Sequence, residues 1–360
     1  MRSIGSKLAL AAGSVLFSLL FSEIALRAYY VQSSTGYLAD LEEDRDLPPP
    51  NSDVTLGHLI TLSPNPDIIY IGRPAASGFL EGIHVRINRE GWREDPIPFD
   101  KPSDEFRIVG IGDSVMYGMG VEENERYLDV LEATLNQEFP ERRWRTVALA
   151  IPGYNLMIEV EVLREVGLRY DPDLILYGYV GNDVCLPRFV ADKKSVLSTD
   201  SFIAHYVRQQ FSPQAEGIRR GRVVVRASRE PRASSERLGS CRNDGVPERY
   251  RHLAGEQSLK DALVKLAAIS RETEIPAIIL FDGRRGEPNP MTPNVPESIP
   301  IIDLHEHFQR YYQAHGLESY EHPSLRLGGE SGPNHHPTAL GHHLIAEGIF
   351  DALVENKLVP

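Results

Sequence analysis

Cysteine is nearly absent from this chain, with two residues in 360. That excludes a disulfide-dense mini-fold and any zinc module built on four cysteines. Basic charge is in deficit too: 38 Lys and Arg face 51 Asp and Glu, for a formal net charge of -13. A surface of that sign repels phosphate backbones, which argues against a nucleic-acid partner. No segment repeats at the period of a solenoid. What is present is ordinary globular usage, 41% apolar and 25% charged, so wholesale disorder, collagen and coiled coil are excluded as well. At about 150 residues per domain, the length allows two units or one larger α/β unit with additions.

The first thirty residues bear on location. Arg2 and Lys7 precede an apolar run from Leu8 to Leu26 that one carboxylate, Glu23, interrupts. At about 1.5 Å per residue such a helix matches the hydrocarbon core of a bilayer. The uncharged stretch from Leu8 to Ser22 is short enough for a cleaved signal, and a buried helix is the third reading. Yet no small-x-small cleavage site follows, and Tyr29 and Tyr30 suit an interfacial anchor. Basic residues before the span and Asp40, Glu42, Glu43 and Asp44 after it point the N-terminus toward the cytoplasm. The expectation is a single-pass membrane anchor over 1–30, with the rest extracytoplasmic, in the periplasm or at the cell surface.

Residues 31–104 read as a linker and a small β-rich segment. Leu47-Pro48-Pro49-Pro50 is stiff and extended. Alternating runs such as Ile83 to Asn88, bounded by Gly78, Gly82 and Gly91, predict β-hairpins carrying no chemistry of their own. From 105 to 358 strands alternate with helices. Strands are expected at Arg107–Gly112, Thr146–Ile151, Leu174–Val180, Ala277–Phe281 and Ile301–Leu304. Helices are expected at Arg126–Phe139, Leu156–Arg169, Leu259–Thr273 and Thr338–Asn356. This alternation predicts an α/β fold, a three-layer α/β/α sandwich around a parallel sheet. An Arg-rich stretch at about 185–255 breaks the pattern and reads as an insertion or lid. It is either a solvated loop or a surface for an anionic glycan or lipid headgroup. Cys185 and Cys241 flank it, and outside the cytoplasm they either bridge or remain unrelated thiols. Gly286 to Pro300 carries five prolines and is no helix.

The chemistry gathers at strand ends. Gly112-Asp113-Ser114-Val115 follows the first strand, where a ligand crevice opens in a parallel sheet. On its own such a serine is more often a helix cap than a nucleophile. Pro152-Gly153-Tyr154-Asn155 follows the second strand and Gly181-Asn182-Asp183 the third; Asn334-His335-His336-Pro337 precedes the last helix. Histidines also cluster at His335, His336, His342 and His343, but no Asp, Glu or Cys partners recur at zinc spacing, so no metal and no cofactor are expected.

In this order, Ser114, Gly153, Asn182 and His336 resemble the SGNH/GDSL hydrolase superfamily, over roughly Phe106 to Val354 with the insertion excepted. The resemblance implies a carboxylic ester hydrolase. Ser114 would be the nucleophile and His336 the base, with the Ser114 and Gly153 amides and the Asn182 side chain forming the oxyanion hole. It also implies an acyl ester, in the first place an acetyl ester on a glycan or lipid, as substrate. An O-acyltransferase of the same fold, or a catalytically impaired glycan-binding pseudo-enzyme, is the alternative. One position departs from the pattern. The family usually places an aspartate two or three residues before the histidine, where this chain has Pro333 and Asn334. Asn334, Glu330 or a backbone carbonyl would then orient His336. If Asn334 holds the orienting position, Asn334→Asp raises turnover; if Glu330 supplies the charge, that change adds little.

Overall fold

The computed structural model describes residues 2–33, 46–187, 189–190, 201–204, 207, 248–284, 295–328 and 334–359. The first helix, α1 (Arg2–Ser33), includes the stretch Leu10–Ala28, with a mean hydropathy of 1.5 and none of it buried inside the protein. Phe17 is 70% exposed. A core helix would bury that surface, so α1 is not one. Its length and composition suit a membrane anchor and a signal sequence alike. Glu23 on α1 accepts the backbone N–H groups of Phe202 at 2.8 Å and Ile203 at 2.9 Å, and so holds a short piece of the insertion.

Two antiparallel pairs follow. After the one-turn helix α2 (Leu56–Leu59), β1 (Ile60–Leu62) pairs with β2 (Tyr70–Gly72), and β3 (Ser77–Leu80) with β4 (Ile83–Arg86). Leu80 stands opposite Ile83, so the second hairpin turns on two residues, Glu81 and Gly82. Their φ values are 54° and 84°, positive at both central positions as a type I′ turn requires.

The body is a five-stranded sheet in the order β6-β5-β7-β8-β9, parallel throughout. Its elements run β5 (Glu105–Gly112), α3 (Ser114–Tyr117), α4 (Tyr127–Glu138), β6 (Arg143–Ala150), α5 (Leu156–Glu165) and β7 (Leu174–Tyr179). Then come α6 (Glu256–Thr273), β8 (Ala277–Phe281), β9 (Ile301–Asp303), α7 (His305–His315) and α8 (Ala339–Glu355). Because β6 lies on one side of β5 and β7 on the other, right-handed crossovers put α4 and α5 on opposite faces. Accordingly α4 packs with α8, and α5 with α6. Strands covered on both faces read as continuous apolar runs, and every residue of β7 is buried. The expected strands and helices all appear, with ends moved by a few residues.

Helix α7 was not among the expected elements. Its sequence is polar, and only Phe308 and Tyr312, one turn apart, are buried.

The β-rich segment is not a separate body. Tyr70, Ile87 and Trp92 belong to the same buried cluster as Ile108 and Val109 of β5. The two ends of the insertion meet: Gly255 donates its N–H to Val184 O at 2.8 Å, and Asn155 Nδ2 donates to Cys185 O and Leu253 O. Cys185 is disulfide-bonded. Cys241 lies outside the described residues, as do most of the insertion and most of Gly286 to Pro300.

Candidate active site

In this strand order the chain leaves β5 in opposite directions to reach β6 and β7, so a crevice opens at their carboxyl ends. Asp113 occupies that point. Its Oδ1 accepts the Val115 N–H at 3.0 Å and so starts α3. Its Oδ2 accepts both the Ser114 hydroxyl at 3.1 Å and the Asn182 side-chain amide at 2.9 Å. One carboxylate therefore ties the residue after β5 to the residue after β7.

The turn that carries Ser114 is fixed from below. Val115, Met116 and Tyr117 are buried, and Gly118 closes the turn in the left-handed region at φ 75°. A side chain there would be strained and would also meet Arg126 Cγ at 2.4 Å. Arg93, from the β-rich segment, is 2% exposed and donates to three carbonyls past the turn: Tyr117 O at 3.0 Å, Gly118 O at 2.7 Å and Val121 O at 2.7 Å. Burial lowers the pKa of that guanidinium, with the nearby Arg126 charge adding to the effect.

Asp183 shapes the neighbouring loop. Its Oδ2 accepts the Tyr177 hydroxyl at 2.6 Å and the Val180 N–H at 2.8 Å, which leaves Asn182 exposed over the crevice. Burial, followed by the charge of Asp113, pushes the Asp183 carboxyl well up. Glu159 behind it is pushed up as well, by burial and then by Asp183 and Asp113.

The histidine arrives with the last connection, ahead of α8. Leu327 donates its N–H to His336 O at 2.9 Å, Thr338 donates to Leu325 O, and the Thr338 hydroxyl caps α8. Within this pinned segment Asn334 Oδ1 accepts the His336 backbone N–H at 3.0 Å and lies 2.8 Å from His336 Nδ1. An amide oxygen only accepts, so Nδ1 carries the proton and Nε2 keeps its lone pair. On its other side Asn334 Nδ2 donates to Glu81 Oε2 at 2.9 Å.

Ser114, Asn182, Asn334 and His336 line one cavity of about 410 Å³, together with Glu81 of the hairpin turn. Gly153 stands past the end of β6 at the same edge, with φ 85°, but does not line that cavity. Glu330 and Pro333 lie outside the described residues. His342 is not near any ligand role: it is fully buried in α8 and accepts the Tyr127 N–H at Nδ1. Among the described residues, no group of three or more His, Cys, Asp or Glu is arranged to hold a metal ion.

Sequence reasoning missed four contributors: Glu81, Arg93, Asp113 and Asp183. Asp113 and Asp183 flank the named serine and asparagine, and a Glu-Gly pair between alternating runs marks a hairpin tip. Nothing in the sequence says where that tip points.

No known family's sequence profile matches the chain, and no curated protein matches it in sequence. Similar solved structures include an alpha/beta hydrolase enzyme from the metagenome of Lake Arreo, Spain. It is 17% identical, with 71% of this chain and 96% of that chain covered and a TM-score of 0.39. A catalytic mutant of an acetylxylan esterase from Geobacillus stearothermophilus is 13% identical, covering 68% and 93%, at a TM-score of 0.37. A member of the lipolytic protein G-D-S-L family from Veillonella parvula is 12% identical, covering 69% and 98%, at 0.36.

Proposed function

We propose that the protein is a serine esterase of SGNH type that cleaves acyl esters. The observation that carries this reading is a single cavity at the sheet's switch point. Ser114, Asn182 and His336 line it, with the imidazole held in the tautomer that keeps the lone pair on Nε2, where a base accepts a proton.

The chemistry follows from those groups. Ser114 Oγ attacks the ester carbonyl while His336 Nε2 takes its proton. The negative charge that develops on the carbonyl oxygen is met by the Ser114 and Gly153 backbone amides and by the second Nδ2 hydrogen of Asn182. Each such donor is worth about 3 kcal/mol in comparable sites. The imidazolium returns its proton to the departing alcohol, leaving Ser114 acylated. A water, or a sugar hydroxyl in the transferase variant, then releases the acyl group by the same steps. Helix α1 serves as an uncleaved anchor with its N-terminus in the cytoplasm. The substrate is accordingly an acylated, and by family resemblance acetylated, glycan or lipid outside it.

The test uses the full chain purified in detergent, with p-nitrophenyl acetate as substrate and a fluorophosphonate probe. Turnover together with probe attached to Ser114 supports the esterase. A folded chain that shows neither is a binding module, and the proposal fails.

A further inference from the structure

The two positions before His335 hold Pro333 and Asn334 in place of an aspartate, and among the described residues one carboxylate lines the cavity: Glu81. Its contact with the His336 imidazole is indirect but directional. Asn334 presents its oxygen to the His336 backbone N–H and to Nδ1, and its NH₂ to Glu81 Oε2. Turning the amide over would set oxygen against carboxylate and N–H against N–H. Glu81 and the His336 backbone N–H therefore fix together which way the amide points, and through it which nitrogen of His336 carries the proton.

The backbone tells the same story independently. Glu81 sits at φ 54° in the first central position of a two-residue turn, where Gly, Asn and Asp are the residues suited to positive φ. A glutamate there is the costlier choice for the turn, and it is the one whose carboxylate reaches Asn334. The hairpin beneath it is secured: Val54 donates to Phe79 O at 2.9 Å, Phe79 to Ser52 O at 2.8 Å, and Leu80 is buried.

We propose that Glu81 is a positioning residue of the active site, supplying through the Asn334 amide the negative charge that an aspartate beside His336 would otherwise bring. The inference rests on the esterase reading. When His336 takes the Ser114 proton, the imidazolium faces the Asn334 carbonyl, whose dipole the Glu81 charge aligns. Among the described residues, the other charged or titratable groups around the ring are Arg284 at the cavity wall, His342 from α8, Asp113 beside Ser114, and His335, which is engaged by Arg326. Removing Glu81 thus takes away the negative group that acts on the ring through Asn334.

This changes the expectation for Asn334→Asp. The new carboxylate would stand against Glu81, and the repulsion offsets what the histidine gains. Glu81→Gln combined with Asn334→Asp moves the charge next to the ring and leaves an amide on the hairpin to donate to it.

The experiment measures kcat, KM and the acid limb of the kcat/KM profile with p-nitrophenyl acetate, alongside thermal unfolding, in the full chain. Glu81→Ala is expected to lower kcat about 10- to 100-fold with KM little changed. That falls short of the about 10⁴ seen when a directly bonded aspartate is replaced. The acid limb should move to lower pH, because a lost neighbouring carboxylate lowers the pKa of an imidazole. Glu81→Gln should keep part of kcat through its hydrogen bond and still shift the limb. The double variant should exceed Asn334→Asp alone by at least about tenfold, a coupling that independent sites do not show. Wild-type kcat and an unmoved limb in Glu81→Gln, in an enzyme that still requires His336, overturn the inference. A wild type indifferent to His336→Ala overturns the esterase reading instead. If Glu81→Ala does not fold, Glu81→Gln and the double variant decide.

Discussion

Residues 46–104 and residues 105–359 are built on different principles, yet they meet in one cavity. The later region is periodic, with five parallel strands, helices over both faces, and Ser114, Gly153 and Asn182 each following a strand at the same edge. The earlier region is short hairpins with little periodicity. It contributes Arg93 under the serine turn and Glu81 beside the histidine loop. The comparison separates two tasks. A parallel sheet sets where reactive groups stand, because strand ends are fixed by register. The irregular segment sets how those groups are held, because its turns can approach from outside the sheet.

The comparison breaks hardest in the periodic region. Ser114→Ala and His336→Ala are each expected to lower ester turnover by at least about 10³-fold, with the unfolding midpoint little changed. Steady-state kinetics beside a melting curve checks this. A matching loss of stability would mean that these side chains serve the fold.

In the hairpin region the largest effect should fall on stability. Arg93→Ala leaves the carbonyls of Tyr117, Gly118 and Val121 without their buried donor and is expected to cost about 3 kcal/mol in denaturant unfolding. Arg93→Lys should recover only part, since an ammonium lacks the guanidinium fork.

A pH experiment tests the periodic region again. Burial, with Arg284 adding to it, lowers the His342 pKa from 6.5 to about 3. Below pH 6.5 the unfolded chain takes up a proton that the folded chain refuses until about pH 3. His342 therefore contributes fully above pH 6.5, and its contribution is lost as the pH falls toward 3. From about pH 7 to about pH 5 the loss is about 2 kcal/mol. Denaturant titrations at the two pH values should show it, and His342→Gln should flatten it. A wild-type drop that His342→Gln leaves unchanged would refute the assignment to this residue.

The smallest effect belongs to His335, adjacent to the base but engaged with Arg326. His335→Ala should change kcat by less than about threefold, since it removes no group that touches a reacting atom, while the loss of its contact with buried Arg326 should show in stability instead. A loss as large as that of His336→Ala would reassign the base.

Much of the periodic region was legible in the sequence because burial on both faces forces apolar runs. β8 falls on the expected residues, and β7 differs by one. Helix α7 escaped because it buries only Phe308 and Tyr312 and carries charge or histidine at five of its 11 positions. The cavity-lining serine and asparagine were legible because strand ends place them, and the histidine because it stands just before the last helix. Glu81 was not. Its role depends on how a hairpin docks against a loop near the other end of the chain, and no local pattern encodes that. The expectation of hairpins without chemistry of their own left out, for the same reason, that one hairpin tip lines the cavity.

The hydrogen bond between Glu81 and Asn334 joins residues 253 positions apart. Contacts of such separation form late, because the intervening chain must first be ordered. A chain made from its N-terminus completes the hairpin early and then waits for the loop that precedes α8. On the proposed esterase reading, this order is a form of latency. The nucleophile turn and the Glu81 carboxylate can be in place while the chain is still emerging, but the base they serve arrives only with the loop before the last helix, so ester cleavage would begin once synthesis is done.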